Sequence, residues 1–337
     1  MGLQAQFEKF NKKIKLSDGD LEDLRSKRDV LLGKLRDSGS LPAFDEYSQG
    51  SYAMYLGVNP TGDREFDVDV ALRFHSDKEE TDPFEYKQAI CDVLKHHTDY
   101  GATIKKPCVT VTYKKDGEAA YHVDLVSYVY DDHHDTDSQM YIAKGENSEE
   151  STWEKADLVK LVDHINNAVE EGEEREQFRR VVRYLKRWKM LRFASGGHVE
   201  PPSIGITLIA ADSFAFHKGD DLQAVTDVCR AIKDQFFFAD YDENGDALYD
   251  IKLGLPAHLR FEPDSDVFEK MSLHQKTGFK KKVDKLVKDL DAVASEADWV
   301  VQCRRLSEIF GDDFDVPGKS ETSKKQPTFI PTTSSSG

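Results

Sequence analysis

The chain has 337 residues, 39% hydrophobic and 32% charged, enough for two domains of ordinary size with packed cores. Its 63 acidic and 46 basic side chains leave a formal charge of −17, which argues against a protein whose main task is to coat nucleic acid, because phosphate contact draws on surplus Lys and Arg. No apolar run approaches the roughly 20 residues needed to span a bilayer, the first residues lack a secretory apolar stretch, and the scattered Cys91, Cys108, Cys229 and Cys303 form no C-x-x-C pair, so a cytoplasmic chain with reduced thiols and no membrane partner is expected.

Residues 3–37 read as helical, with Leu21, Leu24, Val30 or Leu31 and Leu35 at helical spacing and Ser17 or Asp18 placed to cap. AFDEYSQGS predicts a short strand ending in Gly50-Ser51. EFDVDVALRF then alternates acidic and apolar residues, as a strand with one polar face does. DPFEYKQAICDVLKHH predicts an amphipathic helix with Pro83 near its first turn. KPCVTVTYKKDGEAAYHVDLVSYVY predicts two strands joined at KKDG, the second carrying Asp124 between Val123 and Leu125. DDHHDTD at 131–137 has no fixed ligand spacing and is expected to be a solvated acidic loop. Residues 1–150 therefore predict an α+β sheet layer.

After Trp153 the 3.6-residue period takes over. WEKADLVKLVDHINNAVE, EQFRRVVRYLKRWKMLRF, PSIGITLIAADSFAFH and DLQAVTDVCRAIKDQFF each predict a helix, with further helices through 264–293 and 296–309. Residues 151–311 are thus expected to form an all-helical layer. Residues 312–337, rich in Ser, Thr, Pro and Lys, are expected to be a flexible tail.

Three carboxylates carry the chemistry. A strand turns alternate residues to one side, so Asp67 and Asp69 share a face and repel each other, and a cation is what would hold them together. A D-x-D pair alone is ordinarily a solvated strand face. Gly50 and Ser51 just upstream add to it, because Gly permits close backbone approach and a Ser hydroxyl with nearby amides can hold a phosphate. If the strand of Asp124 lies beside that of Asp67, the three oxygens suit hard divalent cations. On the helix containing YLKRW, about 100° per residue places Phe178, Val181, Val182, Leu185 and Trp188 on an apolar stripe. Lys186 falls beyond its edge with Arg179 and Arg183, and Lys189 falls inside it. Either lysine could serve a triphosphate.

Taken together, QGSYAMYLGVNP, EFDVDVALRF, YHVDLVSYV, VVRYLKRWK and PPSIGITLIA resemble the polymerase-β-like nucleotidyltransferases, and within them the bacterial cGAS/DncV-like nucleotidyltransferases (CD-NTases), over residues 1–310. That family makes cyclic oligonucleotide signals in anti-phage (CBASS) defence. The resemblance implies a nucleotidyltransferase lobe joined to a helical C-terminal lobe, and an enzyme that uses two Mg²⁺ ions, or Mn²⁺ in their place, on ATP or on ATP with GTP. It implies that Gly50 and Ser51 hold the donor triphosphate, that Asp67 and Asp69 bind both metals, and that Asp124 completes the metal serving the acceptor hydroxyl. It also implies that Lys186 reaches the triphosphate and that Ser203 touches the phosphates, with Lys189 still open as an alternative. An adenine-containing cyclic trinucleotide is the implied product. Some relatives have their C-terminus joined to other molecules by a ubiquitin-transfer-like enzyme, and a tail ending in Gly337 would suit such a partner; a plain disordered end is the alternative. A linear nucleotidyltransferase, of the oligoadenylate-synthase or RNA-tailing type, and a nucleotide-binding pseudoenzyme are the rival expectations. The acidic charge disfavours RNA tailing, and the complete carboxylate set disfavours the pseudoenzyme.

Overall fold

The computed structural model describes residues 2–318 except 63, 65, 116–117, 136, 197, 257–258 and 260–265. Of the expected tail, residues 319–337 with Gly337 lie outside the described residues, and its start is not loose: Phe314 is buried against Phe7 and Phe10.

Two helices occupy the stretch read as helical: α1 (Leu3–Ile14) and α2 (Asp18–Asp37). The break comes at Ser17, whose hydroxyl accepts the Asp20 N–H at 3.0 Å and caps α2. There follow β1 (Phe44–Ser48), the short helix α3 (Gly50–Ala53), β2 (Phe66–Asp77), α4 (Pro83–Leu94), β3 (Ala102–Ile104), β4 (Val109–Lys115), β5 (Glu118–Tyr130), β6 (Met140–Lys144) and β7 (Thr152–Ala156). The strands form one mixed sheet in the order β1-β2-β5-β4-β3, with β6 paired to β5 and β7 to β6. Only the central pair, β2 with β5, is parallel.

Alternation along the strands decides which face carries chemistry. Val68, Val70, Leu72 and Phe74 of β2 and Val123 and Leu125 of β5 bury against Leu24, Leu31, Leu35, Ile90 and Leu94 of α2 and α4. Asp67, Asp69 and Asp124 must then point to the opposite face, toward the rest of the chain.

Thr152–Ala156 corrects an expectation. It was read as the start of a helix, yet it pairs antiparallel with β6, and the Trp153 indole N–H donates to the Thr81 carbonyl at 3.0 Å. Long-range pairing has overridden local period. Helix α5 (Leu158–Asn166) begins only after Asp157, whose carboxylate caps it.

The second layer holds α6 (Glu173–Arg192), α7 (Ser203–Ser213), α8 (Asp221–Asp234), α9 (Leu273–Ala294) and α10 (Trp299–Phe310). Helix α1 joins this core. Phe7, Phe10 and Ile14 are fully buried there, and the Phe10 ring stacks on Tyr184 at 5.3 Å between centroids. Each such burial contributes about 1.5–3 kcal/mol. The layer is not all-helical: β8 (Phe237–Tyr241) and β9 (Ala247–Asp250) form a hairpin around Asn244-Gly245, where Gly245 takes φ +81°. Asn-Gly between two β-rich runs is a hairpin signal. The helix expected through 264–293 starts at Leu273 behind a Ser272/Gln275 capping box. Among the described residues, no helix is long and apolar enough to cross a membrane.

Candidate active site

The parallel pairing of β2 and β5 sets Asp69 directly beside Asp124 and Asp67 beside His122. Carboxylate oxygens of Asp67, Asp69 and Asp124 all lie within 4.8 Å of one another. Among the described residues this is the one such cluster of three metal-ligating side chains; the acidic loop after β5 instead has the His133 ring 2.7 Å from the Asp77 carboxylate. Strand β4 supplies the orientation of the third member, as Thr110 lies opposite Asp124 and donates its hydroxyl to Oδ1 at 2.5 Å. Burial, reinforced by Asp69 and Asp124, pushes the Asp67 carboxyl up to about 7, even though its side chain keeps one side open. Burial and Asp124 push Asp69 up to about 6. Lys105 and Lys186 offset this only in part. Three converging hard oxygens that repel one another are a donor set that fits a divalent cation such as Mg²⁺ or Mn²⁺.

The Gly-Ser turn is built against this cluster. Gln49 donates its backbone N–H to the Asp69 carbonyl at 3.0 Å, and Gly50 follows with φ +58°. A Cβ at Gly50 would overlap the Asp69 carboxylate oxygen, so only glycine lets the chain pass so close.

Beyond the turn a cavity of about 830 Å³ opens between the sheet and the helical layer. Gly50, Ser51, Asp67, Asp69, Lys186, Lys189 and Ser203 all line it, together with apolar Met54, Leu56 and Ile204. A second space of about 370 Å³ shares Gln49, Asp69, Pro107, Lys144 and Leu161 with the first and adds Asp124, Tyr128 and Lys155. The carboxylates thus stand where two adjoining compartments meet.

Both lysines of α6 are buried, because α1, α7, α8 and α10 enclose the helix on nearly every side. Their surroundings differ. Lys189 Nζ is 2.6 Å from Glu200, donates to Ser203 Oγ at 2.5 Å and reaches the Pro201 carbonyl at 3.2 Å. Lys186 Nζ donates to the Leu56 carbonyl at 2.9 Å and has no ion pair among the described residues. Burial, then Lys189 and Arg183, bring Lys186 down to about 7, while Asp67 and Asp69 act the other way. Lys186 is therefore the ammonium whose charge is left for an incoming anion.

Thr110, Lys105, Arg64 and Glu200 escape sequence reasoning because each acts through a contact distant in the chain. The two lysines of IKKPCV were the one available signal, a pair of cations just before a strand.

The family model of the cyclic GMP-AMP synthase DncV-like nucleotidyltransferase domain matches residues 44–128, which carry the Gly-Ser turn and all three carboxylates. The chain thus carries a DncV-like nucleotidyltransferase domain at these residues. A cyclic GMP-AMP synthase of Escherichia albertii is 22% identical to this chain over 176 residues, 51% of the chain and 38% of that relative, so the match spans well under half of the relative's length. Among solved structures, the Bradyrhizobium diazoefficiens CD-NTase CdnG in complex with GTP aligns with TM-score 0.71 at 15% identity, over 93% of this chain and 96% of that one. Vibrio cholerae DncV, a cyclic AMP-GMP synthase, aligns with TM-score 0.70 at 14% identity, over 90% and 93%. Escherichia coli MS115-1 CdnC with ATP aligns with TM-score 0.62 at 16% identity, over 93% and 98%. At such identities the likeness is one of fold, a mixed-sheet lobe with helical elements packed on it.

Proposed function

We propose that this chain is a CD-NTase that joins nucleoside triphosphates through successive phosphodiester bonds and closes the product into a ring, as a second-messenger synthase of anti-phage signalling in the cytoplasm. The observation that carries the reading is the convergence of Asp67, Asp69 and Asp124 within 4.8 Å at the meeting of two compartments. In each step a 2′- or 3′-hydroxyl oxygen bonds to the α-phosphorus of a triphosphate. The bond from that phosphorus to the β-phosphate oxygen breaks, pyrophosphate leaves, and the hydroxyl proton goes to solvent. In this reading Asp67 and Asp69 hold two Mg²⁺ ions and Asp124 completes the ligands of one. Such ions, when bound, lower the pKa of the attacking hydroxyl and neutralise charge on the leaving pyrophosphate.

The remaining work falls to the chain. Thr110 keeps Asp124 turned toward its partners. Ser51 and Lys186 grip the triphosphate, with Ser203 held beside it by Lys189. The larger compartment takes the donor nucleotide and the smaller one, beside Asp124, the acceptor. The sheet lobe, which extends through β7, and the helical layer, which α1 joins, act as the two sides of the cleft. ATP, alone or with GTP, is the substrate, and an adenine-containing cyclic trinucleotide the product. Incubation with Mg²⁺ and labelled nucleoside triphosphates, followed by phosphatase, tests this. A phosphatase-resistant product supports it; linear, phosphatase-sensitive oligomers from every mixture overturn ring closure.

A further inference from the structure

One guanidinium ties the catalytic strand to the helix that carries the lysines. Arg64 lies three residues before Asp67, on the segment leading into β2. Its Nη1 is 2.5 Å from a Glu200 carboxylate oxygen. Its Nη2 donates to the Phe193 carbonyl at 2.9 Å and reaches the Met190 carbonyl at 3.5 Å. Those carbonyls sit at the C-terminal end of α6, where the last peptide oxygens lack partners within the helix and the helix dipole favours a cation. The other Glu200 oxygen is 2.6 Å from Lys189, which in turn holds Ser203. Both the Arg64 and Glu200 side chains are 16% exposed, so the link is largely withdrawn from solvent.

We propose that Arg64 is a positioning residue that fixes the spacing between the carboxylate cluster and the lysines of α6; this rests on the nucleotidyltransferase reading above. The two parts it joins hold opposite ends of one substrate. Asp67 and Asp69 act at the α-phosphorus, and Lys186, one turn before Met190, faces the outer phosphates. Misplacement by about 1 Å between such groups can cost about 100-fold in rate. Glu200 is shared by Arg64 and Lys189, and the two α6 carbonyls are reached by the other arm of the same guanidinium, so the contribution of Arg64 lies in its fork geometry. A lysine there has the charge but cannot span a carboxylate and two carbonyls at once.

Arg64→Lys and Arg64→Met in the full chain separate geometry from charge. The affinity for α,β-methylene-ATP with Mg²⁺ is measured by equilibrium dialysis, so that turnover is not required, and kcat and KM follow in the phosphatase assay. Both variants are expected to bind at least about fivefold more weakly, with Arg64→Lys nearly as impaired as Arg64→Met, while both melt within a few degrees of wild type. If Arg64→Met melts early, Arg64→Lys alone decides. An Arg64→Lys protein with wild-type affinity and kcat overturns the inference and leaves the activity standing. A wild type that binds the analogue but makes no product overturns the activity, and the dialysis comparison still decides on Arg64. A wild type that binds no nucleotide overturns both.

Discussion

Gly50→Ala perturbs the site by a single methyl group. At φ +58° an alanine pays the left-handed conformation, about 1–2 kcal/mol. In a chain of this size that lowers the melting temperature by about 1–3 °C. The larger effect is local. The new Cβ falls on the Asp69 carboxylate, and the turn or the carboxylate must give way by about 1 Å, which predicts a kcat about 100-fold lower. The Lys186 contact with the triphosphate is untouched and only the Ser51 contact shifts with the turn, so KM should rise less than kcat falls. Steady-state kinetics of phosphatase-resistant product, run beside a thermal melt, separate the two effects. A variant with wild-type kcat and melting temperature would refute the close approach of turn and carboxylate.

Charge makes the next predictions. Without metal, Asp67 and Asp69 titrate in the folded chain at about 7 and 6, against about 3.9 when unfolded, so ionising them is penalised only in the folded state. Below about pH 4 both states are protonated and the penalty vanishes; it grows as pH climbs through 6 and 7. Asp67→Asn with Asp69→Asn should therefore abolish turnover, yet in EDTA melt above wild type at pH 8 and level with it near pH 4; equal melting at pH 8 would contradict the mutual repulsion. Lys186→Ala should raise KM for nucleoside triphosphates by about tenfold and Lys189→Ala by less, because Lys189 is already engaged by Glu200, Ser203 and the Pro201 carbonyl whereas Lys186 has no ion pair among the described residues. The reverse order would move the triphosphate contact to Lys189.

The carboxylates were legible because strand alternation is a two-residue rule. Val68, Val70, Val123 and Leu125 announce a buried face, and Asp67, Asp69 and Asp124 must take the other. That the two strands are neighbours came only from resemblance, since parallel pairing leaves no local mark. The helix surface around Lys186 was misleading for a physical reason. An apolar stripe tells which side meets the core, but α6 is enclosed on nearly all sides, so Lys186 and Lys189 are both buried and only their partners distinguish them. Strand β7 was hidden by helical spacing in its neighbours, whereas the β8–β9 hairpin did carry a local signal in Asn244-Gly245. Trp153 is held by β6 and Thr81, contacts that no window of sequence contains. Arg64, Thr110 and Glu200 escaped for the same reason.

Anomalous scattering from crystals grown with Mn²⁺ and α,β-methylene-ATP bears most directly on the carboxylate cluster. Two manganese peaks ligated by Asp67 and Asp69, one of them also by Asp124, with the nucleotide phosphates against Ser51 and Lys186, are the predicted result. Nucleotide bound in the cleft with no manganese at these three side chains would contradict it.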